Sequence, residues 1–234
     1  MKLQGKILAV TGGFGALGLV IGAVAAAEGA RIALIDRAAA PDVADLPSTL
    51  STALMIGGVD LAELGPAERA LAAVEMRFGG LDVLANVAGA FRWQTLAEGD
   101  LENWDLLYRV NLRTAAAASK AALPLLRKRG AGRIVNVGAG AAAKAGAGMG
   151  AYTAAKAGVD KLTESLAAEL KDERINVNAV LPSIIDTTAN RADMPAADFS
   201  RWVDPHALAD VIVFLASDAA RAITGALLPV SGRV

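Results

Sequence analysis

A tyrosine and a lysine lie four residues apart, at Tyr152 and Lys156, in the pentapeptide Y-T-A-A-K. On a helix this spacing brings both side chains to one face, so the ammonium can stabilise the anionic form of the phenol. A phenol with an ordinary pKa of about 10 transfers protons poorly at neutral pH, and each unit of lowering needs about 1.4 kcal/mol. The pair therefore predicts acid–base chemistry in a partly desolvated cleft, and an ordinary pair on a helix surface is the alternative.

A glycine-rich turn lies near the N-terminus, in the sequence T-G-G-F-G-A-L-G. Glycines between a strand and a helix let the backbone approach a pyrophosphate, which then lies at the N-terminus of that helix. Asp36 follows Gly18 by eighteen residues, close to the roughly 20-residue spacing at which a carboxylate accepts hydrogen bonds from a ribose. Together these features predict a dinucleotide site. The alternatives are a tight connection that binds nothing and a solvated carboxylate at a strand end.

Composition excludes several classes of function. The 234 residues carry 23 basic and 24 acidic side chains, and this balance gives no electrostatic footprint for nucleic acid or an anionic membrane. With no cysteine and a single histidine, His206, disulfides, thiolate sites and multi-histidine metal clusters are excluded. The apolar runs are shorter than the roughly 18 residues of a membrane span, and the N-terminus shows no export signal. We expect a cytoplasmic protein that binds a small molecule, without a metal, nucleic acid or membrane partner.

Short aliphatic runs alternate with alanine-rich helical stretches, which is the pattern of βαβ units around a buried parallel sheet. No linker or charge block divides the chain. We therefore predict one α/β domain over residues 1–234, a Rossmann-like doubly wound parallel sheet of seven strands with helices on both faces. The strands are predicted at 6–11, 31–36, 53–57, 82–86, 133–137, 176–181 and 226–230. Helices are predicted to begin at Ala16, Gly65, Leu101, Gly150 and His206, with a further alanine-rich helix over 112–126.

Five motifs in register resemble the short-chain dehydrogenase/reductase family over essentially the whole chain. They are the glycine turn, Asp36, N-V-A-G at 86–89, Asn111 and Y-T-A-A-K. The resemblance implies an NAD(P)-dependent oxidoreductase. In it Tyr152 is the acid–base residue, Lys156 holds both that tyrosine and the cofactor ribose, and Asn111 kinks a helix and supports a proton-relay water.

The resemblance also implies where the cofactor binds. A carboxylate at Asp36 repels the extra phosphate of NADP, so NAD is favoured; Arg37, next in sequence, could soften that preference, and NADP is the alternative. Asp60 corresponds to a contact with the adenine ring. The chain departs from the usual pattern at Ala16 and Val87, where the family usually has glycine and asparagine. The expected cofactor-binding residues are Gly12, Gly13, Phe14, Gly15, Ala16, Leu17, Gly18, Asp36, Arg37, Asp60, Leu61, Asn86, Ala88, Gly89, Tyr152, Lys156, Pro182, Ile185 and Thr187.

One part of the family's site is missing. Ala139 stands thirteen residues before Tyr152, where the family has the serine that polarises a substrate carbonyl, and Gly138 and Gly140 beside it supply no hydroxyl. Loss of such a donor is expected to cost a ketone reductase on the order of 100-fold or more. The substrate is therefore expected to need little carbonyl polarisation.

Within the family, the chain resembles the quinonoid dihydropteridine reductases, a branch that tolerates this vacancy. The resemblance lies in residues 181–202, in G-G-F-G-A-L-G, and in A-G-A-G-M-G-A-Y before the catalytic tyrosine. It implies a pterin-like, electron-poor conjugated substrate, although Asn86 and Asn111 are features of the general family. The alternatives are a general carbonyl reductase or alcohol dehydrogenase, similar to the 3-oxoacyl reductases, and a non-catalytic dinucleotide sensor.

Two further regions are expected to contact substrate. The polar segment 183–202 is predicted to be a substrate lid, and a fixed surface loop with Trp202 packed inward is the alternative. Asn190 and Arg191 in this segment are candidate polar contacts. Arg92 and Trp93, just past residues 86–89, could stack on a flat ring, or could simply be exposed loop residues.

Helices 112–126 and 152–170 are rich in alanine, whose small side chains permit close approach of another subunit. Members of the family commonly pair these two helices across a twofold axis. The resemblance therefore implies a homodimer or homotetramer, and packing of the alanines on the sheet is the alternative.

Overall fold

Seven short strands form one sheet in the computed structural model, which describes residues 1–42, 44 and 46–234. The strands are β1 (Ile7–Thr11), β2 (Arg31–Ile35), β3 (Leu54–Ile56), β4 (Val83–Asn86), β5 (Gly132–Val137), β6 (Ile175–Pro182) and β7 (Leu227–Val230). Their spatial order is β3-β2-β1-β4-β5-β6-β7, and every neighbouring pair is parallel. The predicted doubly wound parallel sheet is confirmed, and each strand end lies within one residue of its prediction. The chain order reverses beside β1, where such sheets bind ligands beyond the carboxyl ends of the strands.

Helices cover both faces of this sheet. They are α1 (Ala16–Ala27), α2 (Leu64–Phe78), α3 (Leu101–Leu107), α4 (Thr114–Lys128), α5 (Gly150–Leu170), α6 (Thr188–Asp193) and α7 (Pro205–Ala216). Side chains alternate along β1: Leu8 and Val10 join a core under α1 and α7, whereas Ile7 and Ala9 join a second core under α2, α4 and α5. Burial on both faces explains why the central strands read as continuous apolar runs. No helix among the described residues combines the length and apolar character of a membrane span.

Helix ends follow local chemistry that the sequence shows. Asp204 caps α7, since its carboxylate accepts a hydrogen bond from the backbone N–H of His206 at 2.8 Å, and Pro205 occupies the first turn. Helix α2 ends at Gly79, which adopts the left-handed conformation with φ +88°.

Between α3 and α4 the chain forms a single π-helical turn, Tyr108–Arg113. Such turns interrupt the regular hydrogen-bond pattern of a helix and are frequent at functional sites. The hydrophobic pattern of the sequence gave no sign of it, because an extra residue in one turn barely alters the periodicity.

The segment predicted as a lid contains α6 and a 3-10 turn, Phe199–Arg201. It is fixed at both ends: Ile185 forms a parallel bridge with Val203, and Trp202 is 8% exposed. The inward packing of Trp202 agrees with the alternative, a surface segment anchored to the core.

Candidate active site

The tyrosine and lysine lie in the first two turns of α5, beside the carboxyl end of β5. Lys156 is 5% exposed, and its Nζ donates a 2.7 Å hydrogen bond to the carbonyl of Val137. The same Nζ lies 6.0 Å from the centroid of the Tyr152 ring. The fold therefore brings the two side chains to one face and directs the cation toward the sheet edge.

Burial governs the protonation of both groups. It raises the pKa of Tyr152 to about 12. It also lowers the pKa of Lys156 to about 8, against the opposing effect of the Asp160 carboxylate. Both shifts have one cause, since an apolar environment disfavours the charged form of either group. The chain alone therefore keeps the phenol protonated at neutral pH and leaves the ammonium largely charged.

Asn111 lies in the π-helical turn and is 1% exposed. Its Nδ2 donates to the carbonyls of Leu107 and Ala90 at 2.9 and 3.0 Å, and its Oδ1 accepts from the N–H of Ala90 at 3.2 Å. A Cβ built on Gly89 would lie 2.6 Å from this Oδ1 and 3.4 Å from Lys156 Nζ. The glycine thus allows the loop after β4 to pass between the two polar side chains.

The glycine turn packs backbone against backbone. Gly12 adopts φ +63°, and a Cβ on it would lie 2.7 Å from the Cα of Ala88. Thr11, at the end of β1, accepts hydrogen bonds from the N–H groups of Val87 and Ala88 at 3.0 and 3.2 Å. Gly15 caps α1 without any side-chain hydrogen bond, so the first N–H groups of the helix are open to an anion.

Asp36 directly follows β2 and Asp60 lies in the loop after β3, both beyond the carboxyl ends of their strands. Asp36 accepts hydrogen bonds from the N–H groups of Phe14 and Ala38, both at 3.0 Å. Asp60 accepts from Arg109 Nη2 at 2.7 Å, and this hydrogen bond is the main cause that lowers the pKa of Asp60. Arg37 is exposed. A bare glycine turn and a carboxylate beside it fit a dinucleotide with a free ribose diol.

The motifs of the sequence did not point to Arg109 as a site residue. Arg109 also pairs with Glu63 at 2.9 Å. Its position two residues before Asn111 belongs to none of the motifs. Arg109 lies in the π-helical turn and reaches the loop after β3 from there.

Ala139 directly follows β5 and is 5% exposed. It caps a short 3-10 turn, Gly140–Ala142, and its methyl group occupies the place expected for a hydroxyl. Pro182 ends β6, and Ile185 and Thr187 follow it on the same edge. Thr187 caps α6 by accepting from the N–H of Asn190 at 3.2 Å. The strand-end residues expected at the nicotinamide are thus at one edge of the sheet.

The two polar side chains proposed for substrate have partners inside their own segment. Asn190 Nδ2 donates to the carbonyl of Ile185 at 2.7 Å. Arg191 forms a two-pronged pair with Asp186 at 2.5 and 2.7 Å, and its guanidinium lies 4.8 Å from the Phe199 ring centroid. In this structure both side chains stabilise the segment 186–199.

An aromatic contact that the sequence did not single out completes the site. The rings of Phe91 and Tyr152 meet edge to face, with centroids 5.0 Å apart and planes at 88°. Arg92 is exposed, and Trp93 Nε1 donates to the carbonyl of Ala147 at 2.9 Å. Among the described residues, no cluster of acidic or histidine side chains could hold a metal ion.

Comparisons with known proteins agree with this architecture. The profile of the family described as Enoyl-(Acyl carrier protein) reductase matches residues 15–232. The chain belongs to the short-chain dehydrogenase/reductase family. Members of this family are oxidoreductases that use NAD or NADP, so an enzymatic function and a nicotinamide cofactor follow for this chain.

Three similar members of the short-chain dehydrogenase/reductase family are informative. 2-(S)-hydroxypropyl-CoM dehydrogenase 3 of Xanthobacter autotrophicus is 32% identical, with 99% of this chain and 97% of the relative covered. A 3-oxoacyl-[acyl-carrier-protein] reductase of Vibrio cholerae is 33% identical, with 99% and 98% covered. The structure of carveol dehydrogenase from Mycobacterium avium in complex with NAD superposes with a TM-score of 0.85 at 27% identity, with 99% and 98% covered. None of these names contains a pterin, so the resemblance to the dihydropteridine reductases stays a prediction.

Proposed function

We propose that the protein is an NAD-dependent oxidoreductase that passes hydride between the nicotinamide and a small, planar, conjugated substrate, represented by a quinonoid dihydropterin. The proposal rests on the buried methyl group of Ala139, two residues after the Val137 carbonyl that Lys156 contacts, where a carbonyl-polarising hydroxyl is expected.

In this proposal Tyr152 donates or accepts the proton that accompanies hydride transfer. The bound nicotinamide supplies or takes up the hydride, and its oxidised form adds a positive charge to the cleft. Lys156 holds a second positive charge 6.0 Å from the phenol ring. These charges oppose the effect of burial and favour the phenolate. Asn111 fixes the loop after β4 through its hydrogen bonds with Ala90.

The missing hydroxyl selects the chemistry of the acceptor. A simple ketone develops negative charge on its oxygen as hydride arrives, and a fixed donor stabilises that charge. An electron-poor conjugated ring instead spreads the charge over several atoms, so it depends less on one donor. The exposed face of Phe91 beside Tyr152 suits such a ring, because aromatic rings pair favourably when offset or edge to face.

The preference for NAD rests on Asp36. Its carboxylate lies beside the glycine turn through its hydrogen bond from the N–H of Phe14. A phosphate on the adenine ribose would bring a second negative charge against it. Arg37 is exposed, and its positive charge next to Asp36 opposes part of this repulsion.

A 3-oxoacyl thioester reductase is the second candidate, supported by the 33% identity to the Vibrio cholerae enzyme over nearly the full chain. Ala139 counts against it, because the ketone of such a substrate needs the missing donor.

The test compares acceptors with purified protein and NADH. Quinonoid dihydropterin is expected to be reduced with a kcat/KM at least about 100-fold above that of an acetoacetyl thioester. Ala139→Ser should raise thioester reduction on the order of 100-fold and leave pterin reduction within a few-fold. Thioester turnover without pterin turnover would establish the second candidate, and NADH binding without any turnover would indicate a sensor.

A further inference from the structure

Two segments beside the catalytic helix are fastened together. The loop after β4 donates from the N–H of Gln94 to the carbonyl of Gly148 at 2.8 Å, and from Trp93 Nε1 to the carbonyl of Ala147 at 2.9 Å. We name residues 91–94 with residues 147–148 the aromatic latch. Among the described residues, the bond from the indole of Trp93 is the only hydrogen bond of the latch that a side chain makes. This part of the latch therefore depends on Trp93.

Gly148 makes the close approach possible. It adopts φ +74°, and a Cβ built on it would collide with the indole ring of Trp93. Gly146, two residues earlier, differs in both respects: its φ is not positive, and a Cβ there would meet only the sulfur of Met149, at 3.4 Å. The two glycines therefore form a matched pair, one that the latch requires and one that it does not.

The latch holds Phe91 in place. This ring contacts Tyr152 edge to face, yet Phe91 is half exposed. An edge-to-face aromatic pair adds little free energy beyond its buried area, whereas fixing even one loop residue costs a comparable amount of backbone entropy. The ring contact alone is therefore too weak to order the loop, and the two hydrogen bonds to residues 147 and 148 supply the remainder.

We propose that Trp93 is a positioning residue, which fastens the loop after β4 to the turn before α5 and so keeps the ring of Phe91 over the Tyr152 phenol and water away from it. With the latch open, the phenol would be hydrated and the apolar cover of the proton donor would be lost. This role acts through Tyr152 and does not depend on which substrate the enzyme uses.

The charges around Tyr152 stay constant when the latch is altered. Lys156 Nζ lies 6.0 Å from the ring centroid. The other charged side chains on the elements beside this helix include Asp160 on α5, Arg92 in the latch, Asp105 on α3 and Lys144 in the turn before α5. Burial is the cause that raises the pKa of Tyr152 to about 12. A variant that changes only Trp93 or Gly148 therefore reports access of water to the phenol.

The phenol can be titrated directly because the chain has two tyrosines, Tyr108 and Tyr152. In a Tyr108→Phe background, the ultraviolet absorbance of phenolate reports Tyr152 alone. Trp93→Phe removes the N–H donor, and Gly148→Ala displaces the indole. Both are expected to move the midpoint down by about one unit or more toward the ordinary value of about 10. Gly146→Ala should leave it unchanged.

Kinetics give a second readout with whichever acceptor is turned over. Opening the latch should lower kcat several-fold and leave the Kd for NADH unchanged, since Trp93 is not among the residues expected to bind the cofactor. If Trp93 and Gly148 act through one contact, adding Gly148→Ala to Trp93→Ala should lower kcat less than Gly148→Ala does in the wild-type protein. The backbone strain of alanine at φ +74° is common to both comparisons.

The proposal is overturned if Trp93→Phe leaves both the phenol midpoint and kcat in place, or if Gly146→Ala shifts them as much as Gly148→Ala. Additive effects of Trp93→Ala and Gly148→Ala would also overturn it. Should Gly148→Ala fail to fold, Trp93→Phe decides alone. The titration needs no substrate, so its outcome is independent of the proposed pterin activity.

Discussion

Lys156 Nζ lies 6.0 Å from the centre of the Tyr152 ring, and its hydrogen bond goes to the carbonyl of Val137, at the carboxyl end of β5. The buried ammonium donates to one backbone oxygen, and the more distant Asp160 carboxylate favours its charged form. Burial of a cation with so few partners costs stability. The buried lysine therefore lowers the stability of the fold and places a positive charge beside the phenol.

Replacing this lysine should stabilise the fold at neutral pH. Burial lowers the pKa of Lys156 from its ordinary value of 10.5 to about 8. Between these two values the unfolded chain binds a proton that the folded chain lacks, so stability rises with pH across this window, and the full penalty applies below about pH 8. Lys156→Met should therefore gain as much as roughly 3 kcal/mol in urea unfolding at pH 7.

That gain should shrink as the pH rises toward 10.5, because the wild-type lysine is then neutral in both states. Lys161→Met is the matched control on the same helix: Lys161 is exposed and pairs with Glu164, so its loss should change stability by less than about 1 kcal/mol. A destabilised Lys156→Met protein at pH 7 would contradict the assignment of a burial penalty.

Tyr152→Phe should separate catalysis from cofactor binding. Removing a positioned acid–base group lowers kcat on the order of 10²- to 10⁴-fold, while the Kd for NADH should stay within a few-fold. Stopped-flow hydride transfer and fluorescence titration of NADH measure the two quantities. Tyr108→Phe, at the exposed second tyrosine, is the control and should match wild type in both. Unchanged kcat in Tyr152→Phe would remove this tyrosine from the reaction.

The choice between NAD and NADP should depend on the charge of Asp36. Asp36→Asn keeps an oxygen for the N–H of Phe14 but removes the repulsion of a ribose phosphate. The ratio of kcat/KM for NADPH to that for NADH should rise at least about tenfold, which corresponds to about 1.4 kcal/mol. An unchanged ratio would show that Arg37 or another group sets the preference.

The sequence predicted the parts of the fold that repeat local patterns. Buried parallel strands read as short apolar runs, so all seven were placed within one residue. The four-residue spacing also predicted that Tyr152 and Lys156 share one face of a helix, and both lie in the first two turns of α5. These predictions succeed because strand ends and helix faces follow directly from chain position.

Contacts between loops could not be predicted in this way. The contact of Trp93 with Gly148 joins residues more than fifty positions apart through a backbone conformation that only the folded chain displays. The pair of Arg191 with Asp186 is local, but sequence alone does not show whether a surface arginine faces its own segment or a ligand. Phe91 belongs to no motif and was missed for the same reason.

Alanine substitutions at two glycines of the first turn should affect different quantities, the stability of the fold at Gly18 and the affinity for NADH at Gly15. A Cβ on Gly18 would collide with the carbonyl oxygen of Gly12, which is backbone and cannot move without opening the turn. Gly15 is exposed, and a Cβ on it would approach that same oxygen only to 3.4 Å, an ordinary contact. Gly18→Ala should therefore lower the free energy of unfolding by 1–3 kcal/mol, on the order of an overpacked core site, in urea titrations.

Gly15→Ala should leave that free energy nearly unchanged and weaken NADH binding about tenfold or more, because Gly15 begins the helix whose free N–H groups would face the pyrophosphate. Isothermal titration with NADH measures the loss. Equal destabilisation by both substitutions would mean that the turn is uniformly tight and that the open helix end has no special role. Stable Gly15→Ala protein with unchanged NADH affinity would place the pyrophosphate away from this helix end.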